Sequence, residues 1–146
     1  MPVTPASVTN EAARLGVVLT RLSRQMRRQA DTGLTPSQLS ALTTIERHGP
    51  MTLGAIADHE RVAPPSITKV VGKLTDAGLV LRTNDPDDRR STLVSLTREG
   101  VALLAASRKR KSAWLAAQMK QLDADDLARV VDAISALEAL AERPRR

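Results

Sequence analysis

The sequence predicts a mainly α fold with a small β-hairpin wing: a winged helix-turn-helix flanked by dimerisation helices. Three observations predict it. The stretch TLGAIADHERVAPPSITKVVGKLTDAGLV, from Thr52, holds two short amphipathic runs separated by a break at HERVA and a pair of prolines. Two β-prone runs follow, Leu79 to Thr83 and Ser91 to Leu96, around the turn-forming segment NDPDDRR. Long apolar stripes at helical spacing lie on both sides, over about 7–32, 98–121 and 124–142. Residues 1–146 read as one domain, with its reading core over about 35–97 and its dimerisation helices over about 7–32 and 98–142. The chain has no internal repeat, low-complexity segment or linker.

In chain order, residues 1–6 read as a loose arm, and a long helix starts near Ser7. Val8, Ala12, Leu15, Leu19, Leu22 and Met26 alternate steps of four and three, a heptad-like seam suited to packing on other helices. Arg14, Arg21, Arg24, Arg27 and Arg28 lie mostly off the seam and read as a solvated face, and Gly33 ends the helix. Thr35-Pro36-Ser37-Gln38 is a capping box with proline at the first helical position. Leu39, Leu42 and Ile45 give that second helix its buried face, and Gly49-Pro50 stops it. Met51 stands where a brief strand beside the wing is expected, though one residue does not establish it.

Thr52 caps the next helix through its hydroxyl, and Leu53, Ile56 and Ala57 share its inner face. The helix after it opens at Pro64 and Pro65, where missing amide protons cost nothing. Its apolar stripe is Ile67, Val70, Val71 and Leu74, and Gly78 is the expected left-handed stop. Pro65, Ser66, Thr68, Lys69, Gly72 and Lys73 are left facing outward. Small hydroxyls near a helix start and cations further along suit a recognition helix in a DNA major groove. An ordinary amphipathic helix with a solvated polar face fits the same residues.

In the hairpin tip, Asp88 stands two residues before Arg90, where a carboxylate can orient a guanidinium by charge-assisted bonding. An arginine so held, with Arg89 beside it, suits the negative potential of a minor groove. A solvated charged hairpin is the plainer reading.

The run SITKVVGKLTDAGLVLRTNDPDDRRSTLVSLTREG resembles the DNA-binding core of the MarR family of bacterial regulators. Asp88-x-Arg90 followed by Leu93 and Leu96-Thr97 is its most specific part, and the order and length of the surrounding helices extend the resemblance over nearly the whole chain. It implies a sequence-specific, double-stranded-DNA-binding transcriptional regulator, a ligand-responsive repressor acting as a homodimer on a palindromic operator. The DNA-binding residues it implies are Pro65, Ser66, Thr68, Lys69, Lys73, Asp88, Arg89 and Arg90. It also implies that the terminal helices of two subunits interlock, and that a small aromatic or phenolic effector binds near them. Met26, His48 and Trp114 are candidates to line such a site, with ordinary packing the simpler role for each. The chain departs from many relatives at Ala63, where they carry Ser or Thr; a side-chain cap worth ~1 kcal/mol is expected to be lost.

After the wing, Thr97 caps a helix with apolar positions Val101, Leu104, Leu115, Met119 and Leu122. Arg108-Lys109-Arg110-Lys111 lies inside it, and four consecutive helical residues point all round the axis rather than forming one binding face. Asp123, Asp125 and Asp126 open the last helix, where its dipole favours carboxylates. Leu127, Val130, Val131, Ile134, Leu137 and Leu140 make its stripe, and Arg143, Arg145 and Arg146 suit its C-terminal end. A monomer would cover these stripes poorly.

Composition narrows the function. A net charge of +6 favours a polyanionic partner. With no Phe or Tyr and Trp114 as the lone aromatic, the chain cannot build the stacking platform of single-strand or RNA binders, so duplex DNA is the better partner. The absence of cysteine removes disulfides, thiolate nucleophiles and thiol redox sensing. His48 and His59 are the only histidines, and His59-Glu60 lacks the second histidine of a zinc-binding HExxH. Gly72 and Gly78 are isolated, so no phosphate loop is expected, and no enzyme, metal or cofactor is predicted. The N-terminal MPVTPASVTNEA lacks the basic and apolar regions of a signal peptide, and no membrane-spanning run is present. A cytoplasmic protein is expected. A second class of function fits the same fold: a winged-helix module that binds proteins or packages DNA without sequence preference.

Overall fold

The computed structural model describes residues 5–142. The elements are α1 (Pro5–Ala30), α2 (Pro36–His48), β1 (Met51–Thr52), α3 (Leu53–Glu60), α4 (Pro64–Asp76), β2 (Val80–Asn84), β3 (Thr92–Leu96), α5 (Arg98–Met119) and α6 (Ala124–Ala141). The predicted winged helix-turn-helix is present. The first helix begins at Pro5 rather than near Ser7. Residues 1–4 of the predicted arm lie outside the described residues, as do Arg143, Arg145 and Arg146.

The chain divides into two compact units, residues 30–109 and the flanking residues up to 29 and from 110 on. The core of the first is built by the predicted stripes. Leu42 and Ile45 of α2, Ile56 and Ala57 of α3, and Ile67, Val71 and Leu74 of α4 are buried together with Met51, Val80, Val94 and Leu104. Met51 does form a short strand: it pairs antiparallel with Val94, and Thr52 with Leu93. The wing hairpin therefore belongs to a three-stranded sheet in the order β1-β3-β2, with β3 at its centre. In the hairpin Val80 faces Leu96 and Asn84 faces Thr92.

Local chemistry sets the helix ends. The Thr35–Gln38 capping box closes as expected, with the Gln38 amide donating to the Thr35 hydroxyl and the Thr35 amide donating to the Gln38 side chain. Two helices stop by the same device. At the end of α4 the Leu79 amide donates to the Leu74 carbonyl and the Gly78 amide to that of Thr75, with Gly78 left-handed at φ 72°. At the end of α3 the Val62 amide donates to Ala57 and the Arg61 amide to Asp58, with Arg61 at φ 55°, ψ 45°. This Schellman arrangement needs a left-handed residue at one position, where glycine is usual and a long side chain such as arginine costs ~1 kcal/mol.

Thr97 joins two elements. Its hydroxyl accepts from the Gly100 amide at 3.1 Å and donates to the Gly78 carbonyl at 2.7 Å, fixing the start of α5 against the end of α4. Gly100 is buried there, and a Cβ on it would overlap the Leu79 carbonyl oxygen.

In the second unit the stripes stay open. Val8, Leu19, Val130, Val131, Ile134, Leu137 and Leu140 are all exposed, and α6 has no buried residue.

Candidate nucleic-acid interface

The candidate interface begins with the turn between α3 and α4, residues 61–63. Glu60 anchors this turn: its two carboxylate oxygens accept from the Ser40 and Thr44 hydroxyls of α2, each at 2.6 Å. Helix α4 then starts at an N-cap, Ala63, that has extended backbone but no side-chain cap. The first turn of the helix reduces the expected penalty. Pro64 and Pro65 occupy the first two helical positions and carry no N–H. The first available donor, the Ser66 amide, reaches the Ala63 carbonyl at 3.0 Å, and the Ile67 amide reaches it at 3.3 Å. Few orphan donors are left for a capping hydroxyl to satisfy, so the start of α4 is firmer than the sequence suggested.

With Ile67, Val71 and Leu74 turned into the core, α4 presents Pro65, Ser66, Thr68, Lys69 and Lys73 as exposed residues on one helix, while Gly72 is half-buried. The Thr68 hydroxyl donates to the Pro64 carbonyl at 3.0 Å, which leaves its lone pairs to accept from a partner. The outward surface therefore carries hydroxyls at the start of the helix and ammonium groups further along.

Asp88, Arg89 and Arg90 are exposed together at the tip of the hairpin. The role of Asp88 differs from expectation. Its carboxylate accepts from the Arg90 backbone amide at 3.0 Å, not from the Arg90 guanidinium, and its carbonyl accepts from the Ser91 amide at 2.9 Å. Asp85 does the same three residues earlier, accepting from the Asp87 amide at 2.9 Å. Short Asp side chains reach backbone donors two residues on more readily than a long, flexible guanidinium. The acids of the tip thus fold the turn, and Asp88 places Arg90 through its backbone.

The four-cation run on α5 divides as its helical positions require. Arg108 makes a bidentate pair with Glu46 of α2, at 2.7 and 2.9 Å. The Arg108 hydrogen bonds, opposed by partial burial and joined by the Arg108 charge, hold the Glu46 carboxyl below the usual glutamate range. Lys111 is half-buried. It lines a cleft of about 320 Å³ with Arg27 and the apolar side chains of Leu19, Leu22, Met26 and Leu115. Of the three residues suggested for an effector site, Met26 lines this cleft, Trp114 is half-buried outside its lining, and His48 packs on His59, with ring centroids 4.2 Å apart and planes tilted by 34°. No group of three or more His, Cys, Asp or Glu among the described residues is placed to hold a metal.

Sequence reasoning passed over Glu60, Arg61 and Gly100. Glu60 and Gly100 act through partners distant in sequence; Arg61 carried a signal in the broken HERVA pattern, which marks a helix stop without glycine.

This geometry defines a winged helix-turn-helix DNA-binding protein. The MarR family profile matches residues 34–92, the whole of α2 through the wing tip. A helix-turn-helix-type transcriptional regulator of Mycobacterium tuberculosis is 44% identical over 113 residues, covering 77% of this chain and 79% of the relative. The crystal structure of a transcriptional regulator from Pseudomonas aeruginosa superimposes with a TM-score of 0.83 at 32% identity, covering 97% of this chain and 99% of that one. A mutant of MepR from Staphylococcus aureus, bound to an oligodeoxyribonucleotide, shares the fold at a TM-score of 0.71 and 16% identity, covering 90% and 98%. The chain belongs to the MarR family, and it is a DNA-binding transcriptional regulator rather than an enzyme. No helix of the described residues is long and apolar enough to cross a membrane.

Proposed function

We propose that this regulator is a homodimeric, sequence-specific repressor that reads duplex DNA with α4 and the wing and releases it on binding a small aromatic or phenolic effector. One observation carries the reading: two exposed surfaces of different chemistry lie on different units. The unit of residues 30–109 exposes hydroxyls and cations on α4 and at the wing tip, while α1 and α6 expose apolar stripes. The first surface suits bases and phosphates, the second a copy of itself. The oligonucleotide held by the MepR mutant of like fold supports DNA as the partner.

In this reading Ser66 and Thr68, with Pro65 against them, meet base edges, while Lys69 and Lys73 reach phosphates. Arg90 and Arg89 enter the minor groove beside the half-site, on a turn that Asp88 fixes. A dimer seated across an operator excludes other proteins from that DNA, the simplest route to repression. The cleft with Arg27 and Lys111 suits an effector, since apolar walls take an aromatic ring and the cations take a phenolate or carboxylate. Leu19 belongs both to the cleft and to the exposed seam of α1, so an occupant acts on the pairing of subunits. A chromosomal DNA partner implies a cytoplasmic protein.

Competition at fixed salt tests the reading. The protein should prefer its own upstream DNA over random duplex by ~10³-fold or more. Equal affinity for both would favour packaging or protein interaction instead.

A further inference from the structure

The end of α3 carries a residue that local conformation does not favour. Arg61 is the only non-glycine residue with positive φ among the described residues. The same stop at the end of α4 uses Gly78, so the chain contains the unstrained solution to this turn and does not use it here. Among the described residues, no hydrogen bond or ion pair to another side chain holds the exposed Arg61 guanidinium. The nearby carboxylate of Glu60 is occupied by Ser40 and Thr44. Packing, pairing and backbone preference within the described chain therefore give no reason for arginine. Strain that the fold tolerates without internal return is characteristic of functional positions.

We infer that Arg61 is a DNA phosphate contact at the entry to α4, held in register by the rigid stop of α3. This rests on α4 being the recognition helix. Arg61 is three positions before Pro64, at most about 11 Å of chain, so the cation stands beside the first turn of α4. When that turn meets base edges, the backbone flanking the groove is the nearest polyanion. Two features make the position favourable. The Arg61 and Val62 amides are tied back to Asp58 and Ala57, so the backbone carrying the cation is fixed before DNA arrives. The guanidinium gives up no internal partner on binding, so the contact is not offset by a broken one.

The test pairs stability with binding on the full chain. Arg61→Gly should raise the melting temperature by about 3 °C as strain is relieved. It should also weaken DNA about five-fold at 0.15 M salt and shrink the salt slope by about 1, with sequence preference unchanged. Arg61→Asn, which tolerates the left-handed region, should repeat the binding loss, and Arg61→Lys should retain the slope. Opposite signs in the two assays are the expected result, since a merely structural role moves both the same way. Wild-type affinity and slope in Arg61→Gly, or a fall in its stability, would overturn the inference while leaving α4 as the reader. Failure of the wild type to bind duplex DNA would overturn both.

Discussion

Replacing Gly100 by alanine sets two physical effects against each other, and the structure decides the sign. Gly100 lies in the first turn of α5, where alanine is intrinsically better by ~1 kcal/mol. Yet the new Cβ would overlap the Leu79 carbonyl oxygen and lie 3.2 Å from its carbon and 3.4 Å from Leu96 Cγ. The obstacle is backbone, so it cannot swing aside as a flexible side chain would. The start of α5 must shift outward by about 1 Å, at an overpacking cost of ~1–3 kcal/mol. That shift also pulls the Thr97 amide from the Leu79 carbonyl, a 3.0 Å bond worth ~1 kcal/mol. The net expectation is a loss of ~2 kcal/mol and a fall in melting temperature of roughly 4–8 °C. Urea unfolding followed by far-ultraviolet circular dichroism measures it, with both proteins at one concentration because the stability of the proposed dimer depends on it. DNA affinity should fall too, since Thr97 and Leu79 brace the junction of α4 and β2. Equal or greater stability for Gly100→Ala would show that helix propensity governs this position and would refute the brace.

Four further predictions concern the interface, the pairing and acid stability. Arg90→Ala should weaken operator binding by ~1–3 kcal/mol in titrations of folded protein, and Asp88→Ala by less, through loosening of the turn; unchanged affinity for Arg90→Ala would remove the wing from the mechanism. Lys73→Ala should shrink the salt slope by about 1 without changing sequence preference, whereas Ser66→Ala and Thr68→Ala should change preference, and the reverse pattern would undo this division. Charged residues at Leu19 and Ile134 together should yield monomers by light scattering and abolish tight operator binding, whereas an intact dimer would move the interface elsewhere. Because Glu46 titrates below its unfolded value of about 4.3, its pairing with Arg108 adds stability above that pH and loses it as pH falls through the lower folded value. Glu46→Gln should therefore be less stable than wild type at pH 7 and match it once the Glu46 carboxyl is protonated in both folded and unfolded chains, as acid titrations of unfolding can check.

What was legible in the sequence was mostly local. The Thr35–Gln38 capping box, the paired prolines of α4 and the stop at Gly78 each depend on residues within one turn, and each is where the spacing put it. The apolar periods identified the buried faces of α2, α3 and α4 for the same reason. The exposed face of α4 followed by subtraction. Long-range partners were not legible. Glu46 meets Arg108 across 62 residues, and Ser40 meets Glu60 across 20, with no spacing rule to join them. At Asp88 the sequence suggested the right residue and the wrong donor, because a carboxylate two residues from an arginine has both a guanidinium and an amide in reach. At Ala63 the missing hydroxyl was visible, but its small consequence depends on how the amides after Pro65 find the Ala63 carbonyl.

Paired reading of duplex DNA can be checked by selecting bound sites from random duplexes. Two-fold symmetry should set the recognition helices ~34 Å apart, one in each of two successive major grooves. Selection should then enrich an imperfect palindrome with half-site centres about 10 base pairs apart. A single unpaired half-site, or no enriched sequence at all, would contradict it.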